Sequence, residues 1–322
     1  MQKKIFITGA KGFIGRNLLP LFNENEFELF CLSRSVTVKQ EGNINWVSGS
    51  LDTVEQQAGI INSCDFVIHL AGEIGEKAKM EKTNVEGLIK LLSVIIPSEE
   101  KGFLYLSSAG IYGIKKQTVN EIDETSPCFP SNEYERTKAE AEKQLQLTAL
   151  ERQLRFIILR PTNVIGENDH RKKLLNLCKA LLHNKFLMIR KNAIVNYVYV
   201  GDIASLIFKI VNQNDFKNET YNLNSPMQID FFIQTIKEEL NCSYRTKSLP
   251  VIFQPLIFSF AKMSSLIPAR FRFIDEIKYD ELANSKIISN KKVQDRFGGF
   301  SAENLRTGLK KLITYYRNGN EL

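Results

Sequence analysis

Three glycines near the N-terminus constrain the fold of this chain more than any other feature. A short apolar run leads into Gly9, Gly12 and Gly15, with the spacing GxxGxxG. In a strand-turn-helix unit the first glycine permits the tight turn, the second lets a pyrophosphate approach the backbone, and the third permits close packing of helix on strand. Phe13 and Ile14 begin the helix, whose first N–H groups and partial positive charge favour a diphosphate. The motif predicts that these five residues bind a dinucleotide, the alternative being a strand-helix turn without a ligand.

Short apolar runs alternate with longer stretches of helical spacing through the first half of the chain. Runs of this kind are typical of buried parallel strands, and the alternation predicts a doubly wound, Rossmann-type parallel α/β sheet. The predicted strands are residues 4–8, 27–32, 65–70, 103–106 and 155–159, and the predicted helices are 13–22, 81–96 and 133–150. Beyond these we expect a helix at 172–183, a strand at 193–200, and helices at 202–212 and 302–317.

The length of the chain and the change of pattern near residue 166 predict two lobes. The 322 residues exceed the usual size of a single domain. We expect the dinucleotide-binding lobe to comprise residues 1–165 with about 193–222. A smaller C-terminal lobe would then comprise about 166–192 and 223–322.

Charge and cysteine usage exclude several classes of protein. The 43 basic residues are scattered among 36 acidic ones without a basic, aromatic-rich run, so no nucleic-acid partner is expected. The five cysteines form no CxxC, which argues against a zinc site or a disulfide scaffold and fits a cytoplasmic protein. The most apolar region, residues 249–268, is interrupted by Gln254, Pro255 and Lys262, so no transmembrane helix is expected.

The end of the second predicted strand indicates which dinucleotide is bound. An acidic residue there accepts the ribose hydroxyls of NAD, whereas an arginine accommodates the additional phosphate of NADP. This chain has Ser33 followed by Arg34, and no carboxylate. The guanidinium of Arg34 can form charge-assisted hydrogen bonds with a phosphate, and Ser33 adds a hydroxyl. NADP is favoured, with NAD still possible and a solvated surface arginine as the alternative.

Two further segments carry candidate proton-transfer groups. Ser108 follows the strand predicted at 103–106, and Tyr134 lies four residues before Lys138 on a predicted helix. Positions i and i+4 share a helix face, so the phenol and the ammonium can lie side by side. A neighbouring cation lowers the pKa of a tyrosine by stabilising the phenolate. We predict that Tyr134 is a catalytic acid/base, that Lys138 assists it and that Ser108 polarises the substrate oxygen.

With these motifs, the sequence resembles the extended short-chain dehydrogenase/reductase superfamily, specifically the NAD-dependent epimerase/dehydratase branch that UDP-glucose 4-epimerase typifies. Further stretches match signatures of that branch in its own order, and the resemblance covers nearly the whole chain. These further stretches are HLAG at 69–72, NVEG at 84–87, RPTNVIG at 160–166, YVYVGD at 197–202 and YNL at 221–223.

The resemblance implies roles for residues that the spacing alone does not assign. It implies a homodimer formed through the helices at 81–96 and 133–150, and a C-terminal lobe that binds a nucleoside diphosphate sugar. Lys138 would also hold the nicotinamide ribose. The implied ligand contacts are Leu70, Ala71 and Gly72 along the cofactor, Ser50 and Leu51 beside the adenine, Pro161 near the nicotinamide, and Asn163 facing the substrate.

Departures from the family pattern narrow the expected activity. Ala109 and Gly110 stand where 4,6-dehydratases carry an Asp-Glu pair, so the acid for water elimination is missing. Ser33 and Ser50 stand where aspartates are common. Val195 stands where the family has an arginine that binds substrate phosphate. The arginines that could replace it, or could equally be solvated surface charges, are Arg190, Arg270 and Arg272.

Three functions remain after these observations. The first is a nucleotide-sugar epimerase or 4-keto reductase, with hydride transfer at a sugar carbon and a tyrosine acid/base. The second is an NADP-dependent reductase or dehydrogenase of a hydroxysteroid or other lipid-like alcohol, suggested by the apolar stretch at 249–268 and the absent phosphate arginine. The third is a non-catalytic NADP-sensing protein.

Overall fold

The computed structural model describes residues 2–35, 39–169, 171–172, 174–188, 193–243, 247–248 and 286–322. The apolar stretch at 249–268 and the three candidate arginines Arg190, Arg270 and Arg272 lie outside the described residues. The described strands are β1 (Lys3–Thr8), β2 (Phe27–Ser33), β3 (Gln40–Glu41), β4 (Ile44–Ser48), β5 (Phe66–His69), β6 (Gly102–Leu106), β7 (Glu121–Ile122), β8 (Arg155–Pro161), β9 (Asn163–Ile165), β10 (Leu187–Met188), β11 (Ile194–Val195), β12 (Tyr197–Tyr199), β13 (Glu219–Leu223), β14 (Met227–Gln228), β15 (Lys247–Ser248) and β16 (Ile287–Ile288).

Eight of the described strands form one sheet, in the order β13-β8-β6-β5-β1-β2-β4-β3. Its pairings are parallel except for the short β3 beside β4. The strand order reverses direction between β1 and β5, which is the switch point where open α/β sheets bind ligands. The predicted parallel sheet is confirmed. Thr8, Leu32, His69 and Tyr105 are neighbours in register, so the loops after β1, β2, β5 and β6 leave the same carboxyl edge.

Helices follow most of the strands, as the alternation predicted. The predicted helix at 81–96 is interrupted, because Glu81–Glu86 form a π-helical turn before the α-helix continues. The helices are α1 (Phe13–Leu18), α2 (Ala58–Ser63), α3 (Lys77–Met80), α4 (Gly87–Val94), α5 (Glu133–Arg152), α6 (Leu175–Leu182), α7 (Val200–Gln213), α8 (Ile229–Leu240), α9 (Lys291–Phe297) and α10 (Ala302–Asn318). None of the helices in the described part of the chain is long and apolar enough to cross a membrane.

Alternate residues of the central strands face two separate hydrophobic cores. Ile5 and Ile7 of β1 pack in a cluster with the buried face of α7, whereas Phe6 packs on the opposite side with α4 and α5. A strand with both faces covered must be apolar at every position, which explains the continuous apolar runs in the sequence. The two clusters therefore place the sheet between two layers of helices.

The strand predicted at 193–200 is broken at Asn196 into β11 and β12. Its buried side chain forms three hydrogen bonds with two other parts of the chain. Oδ1 accepts from Asn224 Nδ2 (2.9 Å) and from the backbone N–H of Ile288 (3.1 Å), and Nδ2 donates to the carbonyl of Lys286 (3.0 Å). β11 then pairs with β14, and β12 pairs with β9. A polar residue with long-range partners therefore separates two pairings that the apolar pattern presented as one strand.

A third hydrophobic cluster is formed by elements from the second half of the chain. It contains buried faces of α6, α8 and α10, represented by Leu181, Phe232 and Leu309. The predicted helix at 172–183 begins only at Leu175, because Lys172 has a left-handed backbone conformation (φ 48°). This cluster is separate from the two that cover the central sheet.

Candidate active site

The glycine turn lies at the switch point between β1 and β5. Gly9 has φ 75°, and a Cβ atom there would lie 2.6 Å from the backbone nitrogen of Ala71. Ala71 in turn donates its N–H to the Thr8 hydroxyl (3.3 Å), which also bonds His69 Nδ1 (2.6 Å). Only glycine permits this conformation and this approach without strain. The turn after β1 and the segment after β5 are therefore held against each other.

The residues of the turn fit the diphosphate of a dinucleotide. Helix α1 starts at Phe13, and the Gly12 that precedes it supplies no side-chain cap. The first N–H groups of a helix have no partner within it, and they attract an anion. A Cβ atom at Gly12 would lie 3.0 Å from the carbonyl oxygen of Gly9, so the turn stays tight only with glycine there. The predicted contacts Gly9, Gly12, Phe13, Ile14 and Gly15 are thus brought together at the carboxyl edge.

Two cations flank the end of β2, where the adenosine ribose is expected. Ser33 is buried and donates its hydroxyl to the carbonyl of Ser35 (2.8 Å), while the neighbouring Arg34 is exposed. Lys11, from the middle of the glycine turn, donates to the same carbonyl, and its Nζ lies 4.7 Å from the centre of the Trp46 ring. Sequence reasoning identified Arg34 and missed Lys11, although Lys11 lies within the motif.

Ser50 and Leu51 each make a contact within the protein, Ser50 as a helix cap and Leu51 as a packing residue. Ser50 precedes a 3-10 helix and accepts a hydrogen bond from the N–H of Asp52 (3.2 Å). Leu51 is buried beneath Gly87, where a Cβ atom would lie 2.9 Å from the Leu51 side chain. The loop that carries both residues is therefore fixed against α4 at the end of β4.

Tyr134 and Ser108 lie together at the carboxyl end of β6. Asn132 caps α5 by accepting from the N–H of Glu135 (3.0 Å), and this places Tyr134 in the first turn of the helix. Burial raises the pKa of Tyr134 above its usual value, while the nearby Ser108 hydroxyl and the charge of Arg171 act in the opposite direction. Ser108 Oγ also accepts from the N–H of Gly110 (3.1 Å). The structure thus joins the two hydroxyls that the sequence singled out.

Lys138 is buried one turn further along α5. Its Nζ donates to the carbonyl of Leu106 (2.8 Å) and lies 4.7 Å from the centre of the Tyr105 ring. Burial lowers the pKa of Lys138 to about 8, and Glu142 opposes this shift. The lowered pKa that we expected for Tyr134 next to this cation is not found. Desolvation of the phenol outweighs the groups that stabilise its phenolate.

Asn84 connects the segment after β5 to α5. In the sequence it stood out only as part of a family motif. Its Oδ1 accepts from the N–H of Glu73 (2.7 Å), and its Nδ2 donates to the Glu73 carbonyl (3.0 Å) and to Thr137 Oγ1 (3.0 Å). A Cβ atom at Gly72 would lie 3.3 Å from Lys138 Nζ and 3.4 Å from Asn84 Oδ1. Gly72 therefore leaves room for two buried polar groups. Asn84 belongs to the π-helical turn, a feature frequent at functional sites.

The carboxylate of Glu135 lies beside Gly110, one of the two positions at which 4,6-dehydratases carry an acidic pair. A Cβ atom at Gly110 would lie 3.2 Å from Glu135 Cγ, 3.4 Å from Glu135 Oε1 and 3.2 Å from Ser108 Oγ. Glu135 Oε2 accepts from the N–H of Ser131 (2.6 Å), which ties the carboxylate to the helix start. The space that a side chain at 110 would need is already filled by Glu135.

Arg160, the residue before Pro161, forms a buried ion pair with Glu142 that joins β8 to α5. Arg160 donates from Nε (3.0 Å) and Nη2 (2.6 Å) to the carboxylate of Glu142, and from Nη1 to Tyr112 Oη (2.6 Å). Pro161 is buried at the end of β8, and Asn163 is half-buried in β9. The two predicted contacts therefore lie close together in the chain, Pro161 at the end of β8 and Asn163 at the start of β9.

Comparisons with known proteins agree with this fold. Residues 5–223 match the model of the NAD dependent epimerase/dehydratase family. An Escherichia coli N-acetyl-alpha-D-glucosaminyl-diphospho-ditrans,octacis-undecaprenol 4-epimerase is 27% identical over 78% of this chain and 76% of its own length. A Candida albicans sterol-4-alpha-carboxylate 3-dehydrogenase is 24% identical over 88% and 91%. The structure of UDP-glucose 4-epimerase from Thermotoga maritima with UDP-glucose superposes with TM-score 0.72 at 21% identity, covering 98% of this chain and 99% of the other.

Proposed function

The chain belongs to the NAD-dependent epimerase/dehydratase family, and on this premise we propose that it is a nucleotide-sugar epimerase or 4-keto reductase. Family membership makes it an NAD-dependent enzyme, so the alternative of a non-catalytic sensor is set aside. The proposed reaction moves a hydride and a proton at one sugar carbon. The nicotinamide, when bound, supplies or takes the hydride.

The observation that carries the proposal is the pair of hydroxyls on Ser108 and Tyr134 at the carboxyl edge. The phenol of Tyr134 transfers the proton of the substrate hydroxyl, and Ser108 orients the same oxygen. Lys138 lies behind them, with its ammonium between the Leu106 carbonyl and Gly72. In this position it is suited to the nicotinamide ribose and to the electrostatic stabilisation of a phenolate.

We propose NADP as the preferred dinucleotide. The support is the combination of exposed Arg34 and of Lys11, which reaches the carbonyl of Ser35, at the end of β2. Two cations without an acidic residue suit a ribose phosphate better than a ribose hydroxyl. The contacts proposed for the rest of the dinucleotide remain those named from the sequence: the glycine turn, Ser33, Ser50, Leu51, Leu70, Ala71, Gly72, Tyr134, Lys138 and Pro161.

A nucleoside diphosphate sugar is the proposed substrate, held by Asn163 and the C-terminal lobe of about 166–192 and 223–322. The separate hydrophobic cluster around Leu181, Phe232 and Leu309 supports this division into lobes. The undecaprenol-linked relative and the UDP-glucose complex are named for diphospho-sugars, which supports the substrate class.

A lipid-like alcohol is the second candidate substrate. Similarity to a sterol dehydrogenase extends over 88% of this chain. Val195 is buried in β11 and provides no charge for a phosphate. A reductase or dehydrogenase of a hydroxysteroid would use the same hydroxyl pair and dinucleotide.

We also propose a cytoplasmic homodimer. Apolar side chains on α4 and α5 are exposed at Ile89, Leu147 and Leu150, and these are the helices through which the family resemblance implies pairing. The cysteines of the chain are free, which fits a reducing compartment.

The substrate proposal is tested by ligand screening of the purified chain. Bound nucleotide is first identified by mass spectrometry after denaturation. The melting temperature is then measured with nucleoside diphosphate sugars and, in parallel, with hydroxysterols, each in the presence of NADPH. We expect stabilisation and turnover with a nucleotide sugar. Stabilisation and turnover with a sterol alone would contradict the first candidate and support the second.

A further inference from the structure

An arginine outside the sequence motifs packs beside the first residue of the helix that follows the glycine turn. Arg171 belongs to the segment between β9 and α6, and its Cζ is 5.9 Å from the centre of the Phe13 ring. Its charge also acts on the phenol of Tyr134. One guanidinium therefore contacts the first residue of α1 and also acts electrostatically on the proposed acid/base. Its side chain is 42% exposed, so it is accessible to a ligand.

Arg171 is held in place by a buried carboxylate. Asp169 Oδ1 accepts from the backbone N–H of Arg171 (3.1 Å) and from its Nε (2.9 Å), and the Asp169 side chain is only 5% exposed. The next residue is tied to the C-terminus, because Lys172 Nζ lies 3.0 Å from Glu321 Oε1. The side chain is thus oriented before any ligand arrives, which reduces the entropy lost on binding.

The geometry of this pair differs from that of a purely structural ion pair. Arg160 places Nε and Nη2 on both carboxylate oxygens of Glu142, so its paired face is used within the protein. Arg171 gives only Nε to Asp169, and its Nη1 and Nη2 have no hydrogen-bond partner in the part of the chain that the structure describes. The terminal nitrogens of a guanidinium form a fork that matches two oxygens of a phosphate.

We propose that Arg171 binds a phosphate group of the ligand that binds beside the glycine turn and Phe13. This inference rests on the proposed function, which brings phosphate-bearing molecules to that turn. The phosphate has two possible sources, the diphosphate of the substrate and the diphosphate of the dinucleotide. In both cases the two terminal nitrogens of the guanidinium would donate to oxygens of one phosphate.

Calorimetric titrations of the full chain test the assignment. Inorganic pyrophosphate is titrated into protein saturated with NADPH, and NADPH is titrated into ligand-free protein, for wild type, Arg171→Ala and Arg171→Lys. The matched control is Arg306→Ala, since Arg306 of α10 forms an exposed pair with Glu238 of α8. Loss of a charge-assisted contact is expected to raise one dissociation constant about 10- to 100-fold in Arg171→Ala, with a smaller rise in Arg171→Lys.

The two arms distinguish the sources of the phosphate. A rise for pyrophosphate alone identifies the substrate diphosphate, and a rise for NADPH alone identifies the cofactor. Unchanged constants in both arms, or equal losses in Arg306→Ala, would overturn the proposal, as would a wild-type protein that binds neither probe. Binding is read without turnover, so a failure here is separable from a failure of the proposed reaction, which would leave these constants intact.

Discussion

The glycine turn and the Tyr134 region lie on the same edge of one sheet, yet they are built by different means. The dinucleotide region (residues 9–15 with Arg34) is formed by backbone geometry, as the contact between Gly9 and Ala71 illustrates. The hydroxyl region (Ser108, Tyr134 and Lys138) is formed by polar side chains whose protonation depends on burial. Substitutions in the first region should therefore act through shape, and substitutions in the second through charge.

The largest expected effect on dinucleotide binding comes from a change in the backbone of the dinucleotide region. Gly9→Val introduces a branched side chain at φ 75°, with its Cβ atom 2.6 Å from the backbone of Ala71. We expect destabilisation of at least about 2 kcal/mol and loss of dinucleotide binding by more than about 100-fold, since the turn must open. Urea unfolding and fluorescence titration with NADPH measure both effects.

Gly59→Ala is the matched control for this substitution. Gly59 lies in α2, and a Cβ atom there meets nothing within 4 Å. Alanine should stabilise the helix by up to about 1 kcal/mol and leave binding unchanged. Equal binding of NADPH by Gly9→Val and Gly59→Ala would remove the argument that shape governs this region.

The largest loss of stability alone is expected in the buried charges behind the hydroxyl region. Glu142→Gln leaves the buried guanidinium of Arg160 without its carboxylate, so we expect a loss of about 3 to 5 kcal/mol in unfolding free energy. The same change in the exposed pair, Glu238→Gln, should cost less than about 1 kcal/mol. Similar losses in the two variants, measured by urea unfolding, would show that burial is not what distinguishes the Arg160 pair.

Lys138 links stability to pH in the hydroxyl region. Burial lowers its pKa from 10.5 to about 8, so between these values the unfolded chain binds the proton and the folded chain does not. Stability therefore rises with pH across that window, by up to about 3 kcal/mol relative to Lys138→Met. Urea unfolding at several pH values from 7 to 10.5 gives the difference. A difference that stays flat across this range would contradict the lowered pKa of the buried Lys138.

The smallest effect concerns the choice of dinucleotide. Arg34→Ala and Lys11→Ala each remove one cation near the expected ribose phosphate, and each should weaken NADPH about 10-fold while leaving NADH within about twofold. Competition titrations with both dinucleotides measure the ratio. An equal loss for NADPH and NADH would return the preference to NAD.

The difference between the two regions also explains how far the sequence alone could predict them. Glycine spacing after an apolar run is local, so the turn at Gly9 and the order of strands and helices could be predicted. The place of Ser108 could be predicted from the end of the strand before it, and the shared helix face of Tyr134 and Lys138 from their spacing. The pKa of Lys138 could not, because it depends on the Leu106 carbonyl and the Tyr105 ring, which are distant in the chain.

Long-range polar contacts account for the remaining misses. Asn196 splits a predicted strand because residues 28 and 92 positions away bond its side chain. Asn84 gains its position from Thr137 and Glu73, which are 53 and 11 positions away. Arg171 differs from these residues, because its partner Asp169 is only two positions away and the apolar pattern gives no sign of the contact.

The central claim is that Tyr134 transfers the proton, and it is tested most directly by the hydride-transfer rate of Tyr134→Phe. The absorbance of reduced nicotinamide gives this rate with the substrate found by screening, and Tyr315→Phe, on the exposed face of α10, is the control. We predict a rate about 10²- to 10⁴-fold below wild type, with the NADPH dissociation constant nearly unchanged because phenylalanine keeps the ring that faces the dinucleotide and removes only the hydroxyl. A variant that keeps more than a tenth of the wild-type rate would contradict the account.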